Sequence, residues 1–285
     1  MAAREVTLRA ANALRKVGSE RMVLMVVDDE ILGCSIDAQA TSATPSSQVL
    51  LDDHKDAIIH AYCRSKQKLI KQHPSIDKNS NVHIFEGSLD DESLLADCLS
   101  GTRAVFVAIA VTSNQPGVTI AQDTAKQVIA AMDKLRQWRS ERLPKLIVLS
   151  SASTDHSLMA QVPSFLRSTL YCACSNIYDD LKLAEKFYRA QEDCLSTVHI
   201  KPGGLSNDAR KGHELSLTVA RTPLSFLDLA AGMVEVADDS GERYEGRGVA
   251  VNATSKDVAF PWDAPLLLMK GLVIHFLPWT YRFLG

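Results

Sequence analysis

The stretch Val82-His-Ile-Phe-Glu-Gly-Ser-Leu-Asp-Asp-Glu-Ser-Leu-Leu-Ala-Asp-Cys-Leu-Ser-Gly-Thr-Arg-Ala-Val-Phe-Val-Ala-Ile-Ala110 decides the fold. It opens on the strand-length run Val82–Glu86 and closes on the unbroken apolar run Ala104–Ala110. A continuous apolar run of this length suits a strand covered on both faces. The segment between has readable helix ends. Ser88 can cap a helix that runs through Leu99, with Asp90, Asp91 and Glu92 near its positive N-terminus and Gly101 just past its last turn. A strand, a capped helix and a second buried strand make one βαβ unit.

The same alternation extends both ways. Further strands are expected at Met22–Val27, Ala57–Cys63, Lys145–Ser150, Thr197–Lys201 and Gly248–Asn252. Ile120, Val128, Ile129, Met132 and Leu135 form an apolar stripe on a helix of several turns, and a second such helix starts near Ser225. The predicted class is α/β: a Rossmann-like, doubly wound parallel sheet with a small C-terminal substrate lobe. The domain spans 39–285 and ends in the apolar segment 264–285, with 1–38 an atypical N-terminal extension. Two polar segments, Ala38–Ser47 and Gly203–Leu215, break the alternation, and the second reads as an exposed loop or flap.

Composition excludes several classes. With 46% hydrophobic and 23% charged residues, the 285-residue chain has the balance of a soluble globular protein. A net charge of −3, with no basic stripe, sets nucleic acid aside as a partner. The six cysteines are scattered, which points to small buried hydrophobes in a reducing, cytoplasmic setting. The eight histidines form no metal-ligand pattern, so no metal is expected. The first 22 residues lack a continuous apolar core and do not read as a secretory signal. Segment 264–285 is mostly apolar but interrupted by Lys270, His275 and Pro278, a poor bilayer-spanning helix. Its readings are packing on the domain, lining an apolar substrate pocket, peripheral contact with a membrane, or a homodimer contact, with packing preferred.

The candidate chemistry lies at Ser150-Ser-Ala-Ser153, at a strand end, followed by Tyr178-Asp-Asp-Leu-Lys182. On a helix, Tyr178 and Lys182 share a face one turn apart. A lysine ammonium there would favour the phenolate, bringing the tyrosine toward useful acid–base range. Ser151, or Ser153, could hydrogen-bond a substrate carbonyl oxygen as charge builds on it. A second pair at the same spacing, Tyr62 and Lys66, follows no serine-bearing strand and reads as coincidence. Met22–Glu30 superficially looks like the acidic start of a receiver domain, but Asp52 and Asp53 come too soon for its phosphorylation strand.

A dinucleotide site needs glycines at the first strand–helix turn. No G-x-G-x-x-G occurs, and the nearest phrase, Gln39-Ala-Thr-Ser-Ala-Thr-Pro-Ser-Ser47, carries Gln39, Ser42 and Pro45 where glycines would stand. Thr41, Ser42 and Ala43 are its candidate cofactor contacts. Elsewhere Arg64, Ser65 and Lys68 follow the second strand, where cations can pair with a 2′-phosphate; no acid ends that strand, which favours NADP(H) over NAD(H). A solvated basic turn is the competing reading. Asp90 and Ala108 are placed for the adenine half, and Pro202 and Gly203 follow the sixth strand. If the altered loop excludes a dinucleotide, there is no cofactor.

The phrases Arg64-Ser-Lys-Gln-Lys-Leu69, Val82-His-Ile-Phe-Glu-Gly87, Leu95-Ala-Asp-Cys-Leu99, Ser151-Ala-Ser153 with Ala160-Gln-Val-Pro163, and Leu224-Ser-Phe-Leu-Asp-Leu-Ala230 resemble fungal NmrA-like, atypical short-chain dehydrogenases. The resemblance implies an NAD(P)-binding fold and oxidative tailoring of aromatic polyketides, as in anthraquinone and xanthone mycotoxin pathways. The implied partner is a hydrophobic, polycyclic phenolic small molecule. Met1–Ala38 has no counterpart in it. The expectation is an NADP-dependent oxidoreductase; its rival is a non-redox protein of the same fold, a cofactor-free cyclase or isomerase or an NmrA-like nucleotide-binding regulator.

Overall fold

The computed structural model describes residues 21–25, 57–72, 74–77, 79–109, 111, 113–138, 142–262 and 264–285. Its strands are β1 (Arg21–Met25), β2 (Ile58–Cys63), β3 (Val82–Glu86), β4 (Ala104–Val107), β5 (Lys145–Leu149), β6 (Thr197–Ile200), β7 (Leu205–Ser206), β8 (His213–Ser216), β9 (Leu224–Ser225) and β10 (Gly248–Ala253). The helices are α1 (Lys66–Gln72), α2 (Pro74–Asp77), α3 (Glu92–Leu99), α4 (Ile120–Trp138), α5 (Ser164–Ala173), α6 (Ser175–Arg189), α7 (Phe226–Asp238), α8 (Ala264–Phe276) and α9 (Tyr281–Leu284).

One eight-stranded sheet has the order β3-β2-β1-β4-β5-β6-β10-β8. The pairings from β3 to β10 are parallel, and strand order reverses direction between β1 and β4, which opens a crevice at the strands' carboxyl ends. The predicted doubly wound α/β class is what forms. Buried residues fall into two cores, one per face. Ala104, Phe106, Ile147, Leu149, Val198 and Ile200 pack with α7, while Val105, Val107, Leu146 and Val148 pack with α3, α4 and α6. Adjacent strand residues alternate faces, so an unbroken apolar run supplies both.

The structure departs from the sequence expectations in three places. First, the strand expected at Met22–Val27 forms as Arg21–Met25, but it lies mid-sheet although it belongs to the segment read as an extension, with Met22 opposite both Ile59 of β2 and Ala104 of β4. Residues 26–56, including Ala38–Ser47 and the candidate contacts Thr41, Ser42 and Ala43, lie outside the described residues.

Second, Gly203–Leu215 is not a plain flap. β7 pairs with β9, and β8 adds an antiparallel edge to β10, from Ala250 opposite Ser216 to Ala253 opposite His213. The physical reason lies in backbone anchoring. The Asp228 carboxylate accepts the N–H groups of Lys211 (3.0 Å) and Gly212 (2.9 Å), and this steers a polar segment into the ladder.

Third, Asp91 rather than Ser88 caps α3, its Oδ1 accepting the Leu94 N–H at 3.0 Å. The Ser88 carbonyl instead accepts the Asp91 N–H and the Tyr62 hydroxyl. Gly101, at φ 66°, ends the helix as expected, in a conformation that L side chains rarely adopt.

Candidate active site

The site is built around α6, whose position is fixed from four sides. At its start, Asn114 Oδ1, just beyond β4, accepts the Asn176 N–H at 2.8 Å. The Ser175 hydroxyl pairs with His275 Nδ1 at 2.7 Å, tying α6 to α8. One turn on, the buried Asp180 carboxylate accepts the N–H groups of Ala121 (2.9 Å) and Gln122 (3.1 Å). It thereby serves the N-terminus of α4, where unpaired donors and the helix dipole favour an anion. Farther along, the Glu185 carboxylate accepts the Ser150 hydroxyl at 2.5 Å, the Thr154 hydroxyl at 3.0 Å and the Lys201 ammonium at 2.9 Å. Asp155 adds a second carboxylate 3.4 Å from the Lys201 ammonium.

These ties aim Tyr178 at the end of β5. The hydroxyls of Ser153 and Ser151 and the Cys174 thiol are the polar neighbours of its phenol. Ser151 additionally caps the short turn Ala152–Thr154, accepting the Ser153 N–H at 3.3 Å. The structure therefore brings together the predicted Ser151 (with Ser153) and Tyr178. It does not bring Lys182 with them. The Lys182 ammonium lies 4.3 Å from the centroid of the Tyr171 ring, on the solvent side of the helix. Burial pushes the Tyr178 phenol above its ordinary value, with the neighbouring Cys174 adding to the rise against the two serines. The drop expected from a lysine one turn away is corrected: the ammonium chose an aromatic face instead.

The remaining candidates separate. Arg64 and Lys68 are exposed past the carboxyl end of β2, and Ser65 between them accepts the Lys68 N–H at 3.3 Å as the start of α1. Ala108 is half-buried past β4. Asp90 is exposed and accepts the Gln127 side chain at 3.4 Å. Pro202 and Gly203 serve the fold: the Pro202 carbonyl accepts the Ala152 N–H at 2.9 Å, and a Cβ on Gly203 would meet the Arg221 carbonyl oxygen at 2.7 Å. The close approach this glycine permits is to its own chain. Tyr62, the discounted second tyrosine, is fully buried, and its value is raised to about 12, first by burial.

Spacing alone did not reveal the Glu185–Lys201 pair. Lys201 is 2% exposed and Glu185 7%, so the ammonium is held inside the protein by partners from two other elements. Burial alone would raise the Glu185 carboxyl, but Lys201 and the Ser150 hydroxyl hold it below the usual range. The available signal was a lysine closing a buried strand, which requires an anion. Beside Glu185, a gap of about 10 Å³ lies among Ser150, Thr124, Tyr188 and apolar neighbours, room for about one water molecule.

As for a dinucleotide, the donor set past β2 (two cations and a hydroxyl) and the small Ala108 past β4 suit a phosphate-bearing ligand along the crevice. Among the described residues no group of three or more His, Cys, Asp or Glu converges as a metal site.

Comparison with known proteins agrees with this geometry. Residues 43–240 match the family model described as NAD(P)H-binding. The chain is 48% identical over 230 residues to oxidoreductase aflX of Aspergillus parasiticus, covering 81% of this chain and 86% of that one. It is also 48% identical over 242 residues to oxidoreductase stcQ of Emericella nidulans, covering 84% and 88%. Among solved structures, a wide-type short-chain dehydrogenase/reductase of Veillonella parvula in complex with NADP superposes with a TM-score of 0.55 at 14% identity, covering 85% of this chain and 97% of that one. The chain belongs to the NAD(P)H-binding family, among fungal oxidoreductases of the averufin-oxidase-like kind.

Proposed function

We infer that the protein is an NADP(H)-dependent oxidoreductase that acts at a carbonyl or carbinol of a flat, polycyclic phenolic polyketide. The observation that carries this reading is the Tyr178 hydroxyl, with the hydroxyls of Ser151 and Ser153 as its polar neighbours past the carboxyl end of β5. A bound nicotinamide would supply the hydride chemistry. Arg64 and Lys68 would hold the 2′-phosphate of NADP, which favours it over NAD. Because burial keeps its phenol protonated, Tyr178 serves as proton donor to a carbonyl oxygen as negative charge develops there. Ser151 and Ser153 orient that proton and share the oxygen. The Tyr171 ring, 5.5 Å from the Tyr178 ring, gives a flat aromatic substrate a stacking surface. Lys182 can tune the phenol only by leaving that ring for the Tyr178 side.

One sequence feature favours the rival: Gln39, Ser42 and Pro45 stand where a phosphate loop needs glycines. On that reading the protein is a non-redox member of the fold, a cofactor-free cyclase or isomerase or a nucleotide-binding regulator. Calorimetric titration with NADPH and NADH separates the two. Micromolar binding with NADPH ahead of NADH supports the reductase; no heat at millimolar concentrations of either removes it.

A further inference from the structure

Helix α8 is anchored on one side and bare on the other. Gly271 and Ile274 are buried, and Gly271 lies so close to α5 that a Cβ there would come within 1.9 Å of the Ala173 carbonyl oxygen. Asn114 also donates to the Gly271 carbonyl at 3.2 Å. With that face pinned, Leu266, Met269, Val273 and Phe276 form an outward stripe at spacings of three and four residues. Trp279 and Phe283 extend the stripe past the helix end. Phe276, Trp279 and Phe283 are 71%, 60% and 68% exposed, far beyond what scattered surface residues require.

The side-chain charges within this segment have one sign. Segment 264–285 contains Lys270, Arg282 and His275 and no aspartate or glutamate, although the whole chain is net negative. Arg282 stacks over the Phe283 ring at 4.7 Å, and Trp279 meets Phe283 edge to face, so cation and aromatics sit together. Two copies meeting on this face would bring these cations to one seam without an acid from the segment to pair them. An anionic lipid surface pairs them and takes up the apolar stripe in the same step, which is the composition of an interfacial anchor. No helix among the described residues is long and apolar enough to cross a membrane, so the contact is peripheral.

We propose that the exposed face of α8 and the turn through α9 docks the protein on an anionic membrane surface. Trp279 and Phe283 enter the interface, while Lys270 and Arg282 meet lipid headgroups. Ser175–His275 and Asn114–Gly271 join this face to the start of α6, so the docked surface is continuous with the helix that carries Tyr178.

The test is flotation of the full chain with phosphatidylcholine vesicles, with and without phosphatidylserine. Binding is expected with the phosphatidylserine vesicles and should weaken as salt rises. Lys270→Gln and Arg282→Gln should each lower that partition about fivefold, roughly the worth of one surface cation. The exposed triple change Phe276→Ser, Trp279→Ser and Phe283→Ser should abolish it while leaving the circular dichroism and thermal midpoint of the free protein unchanged. Absence of vesicle binding by the wild type, or undiminished binding by a folded triple variant, overturns the proposal. So does light scattering that finds a wild-type dimer which the triple change makes monomeric, because the face would then be covered by a second copy.

Discussion

Asn114 Oδ1 accepts the Asn176 backbone N–H at 2.8 Å, two residues before Tyr178, from a position only 4% exposed. The same side chain donates to the Gly271 carbonyl of α8, so one amide joins the end of β4, the tyrosine helix and the C-terminal helix. Asn114→Ala takes away the acceptor of the Asn176 N–H and the donor to the Gly271 carbonyl. It should cost about 1–3 kcal/mol in urea unfolding. The drop in kcat should exceed any change in NADPH affinity, since the start of α6 moves and the β2 end does not.

Tyr178→Phe keeps the half-buried ring and removes the proton. Turnover should fall to background with unchanged circular dichroism, and residual activity near wild type would remove Tyr178 from its role. Ser151→Ala and Ser153→Ala should each cost less, because the other hydroxyl remains beside the phenol.

The buried ion pair is tested by removing one charge and then both. Glu185→Gln strips Lys201 of its nearer carboxylate, leaving Asp155 at 3.4 Å. A loss of about 3–5 kcal/mol is expected, as when one partner of a buried pair is removed. Glu185→Leu combined with Lys201→Met removes both charges and should recover most of that loss in chemical denaturation.

Acid should destabilise the fold in a defined window. Burial, with help from Arg189 and Lys201 and against Glu185, lowers His199 from 6.5 to about 4. Between those values the unfolded chain holds a proton that the folded chain refuses, so stability falls as pH drops from about 6.5 to about 4. The loss is on the order of 3 kcal/mol by linkage. Both ring nitrogens of His199 are buried without hydrogen-bond partners. His199→Phe should therefore flatten the thermal midpoint across this window. Glu185, held below its ordinary 4.5, keeps its stabilisation above that value and loses it only at lower pH.

The sequence announced what repeats and hid what depends on distant partners. Strands β2 to β6 and β10 are legible because each is a short run rich in Val, Ile and other apolar residues, a pattern that local chemistry imposes. β8 is not, because His213-Glu-Leu-Ser216 is polar and enters the sheet through the Asp228 carboxylate, sixteen residues beyond Gly212. Tyr178 and Ser151 meet as spacing and strand order suggested. Lys182 escapes prediction, since the same helix position lets its long stem reach either the phenol or the Tyr171 ring. The acids of Tyr178-Asp179-Asp180 looked incidental, yet Asp179 accepts the Tyr171 hydroxyl at 2.5 Å and Asp180 serves α4. Nothing local to the motif signals either partner.

β1 joins two halves of the sheet that touch nowhere else along their edges, for β2 and β4 each pair with it and not with one another. Met22 must wait for Ala104, about eighty residues downstream, before its second ladder can close. A growing chain thus cannot complete its centre until nearly two fifths of it has been made. Shortening the N-terminus past Met25 would leave two half-sheets with raw edges, a recipe for aggregation rather than for a smaller enzyme.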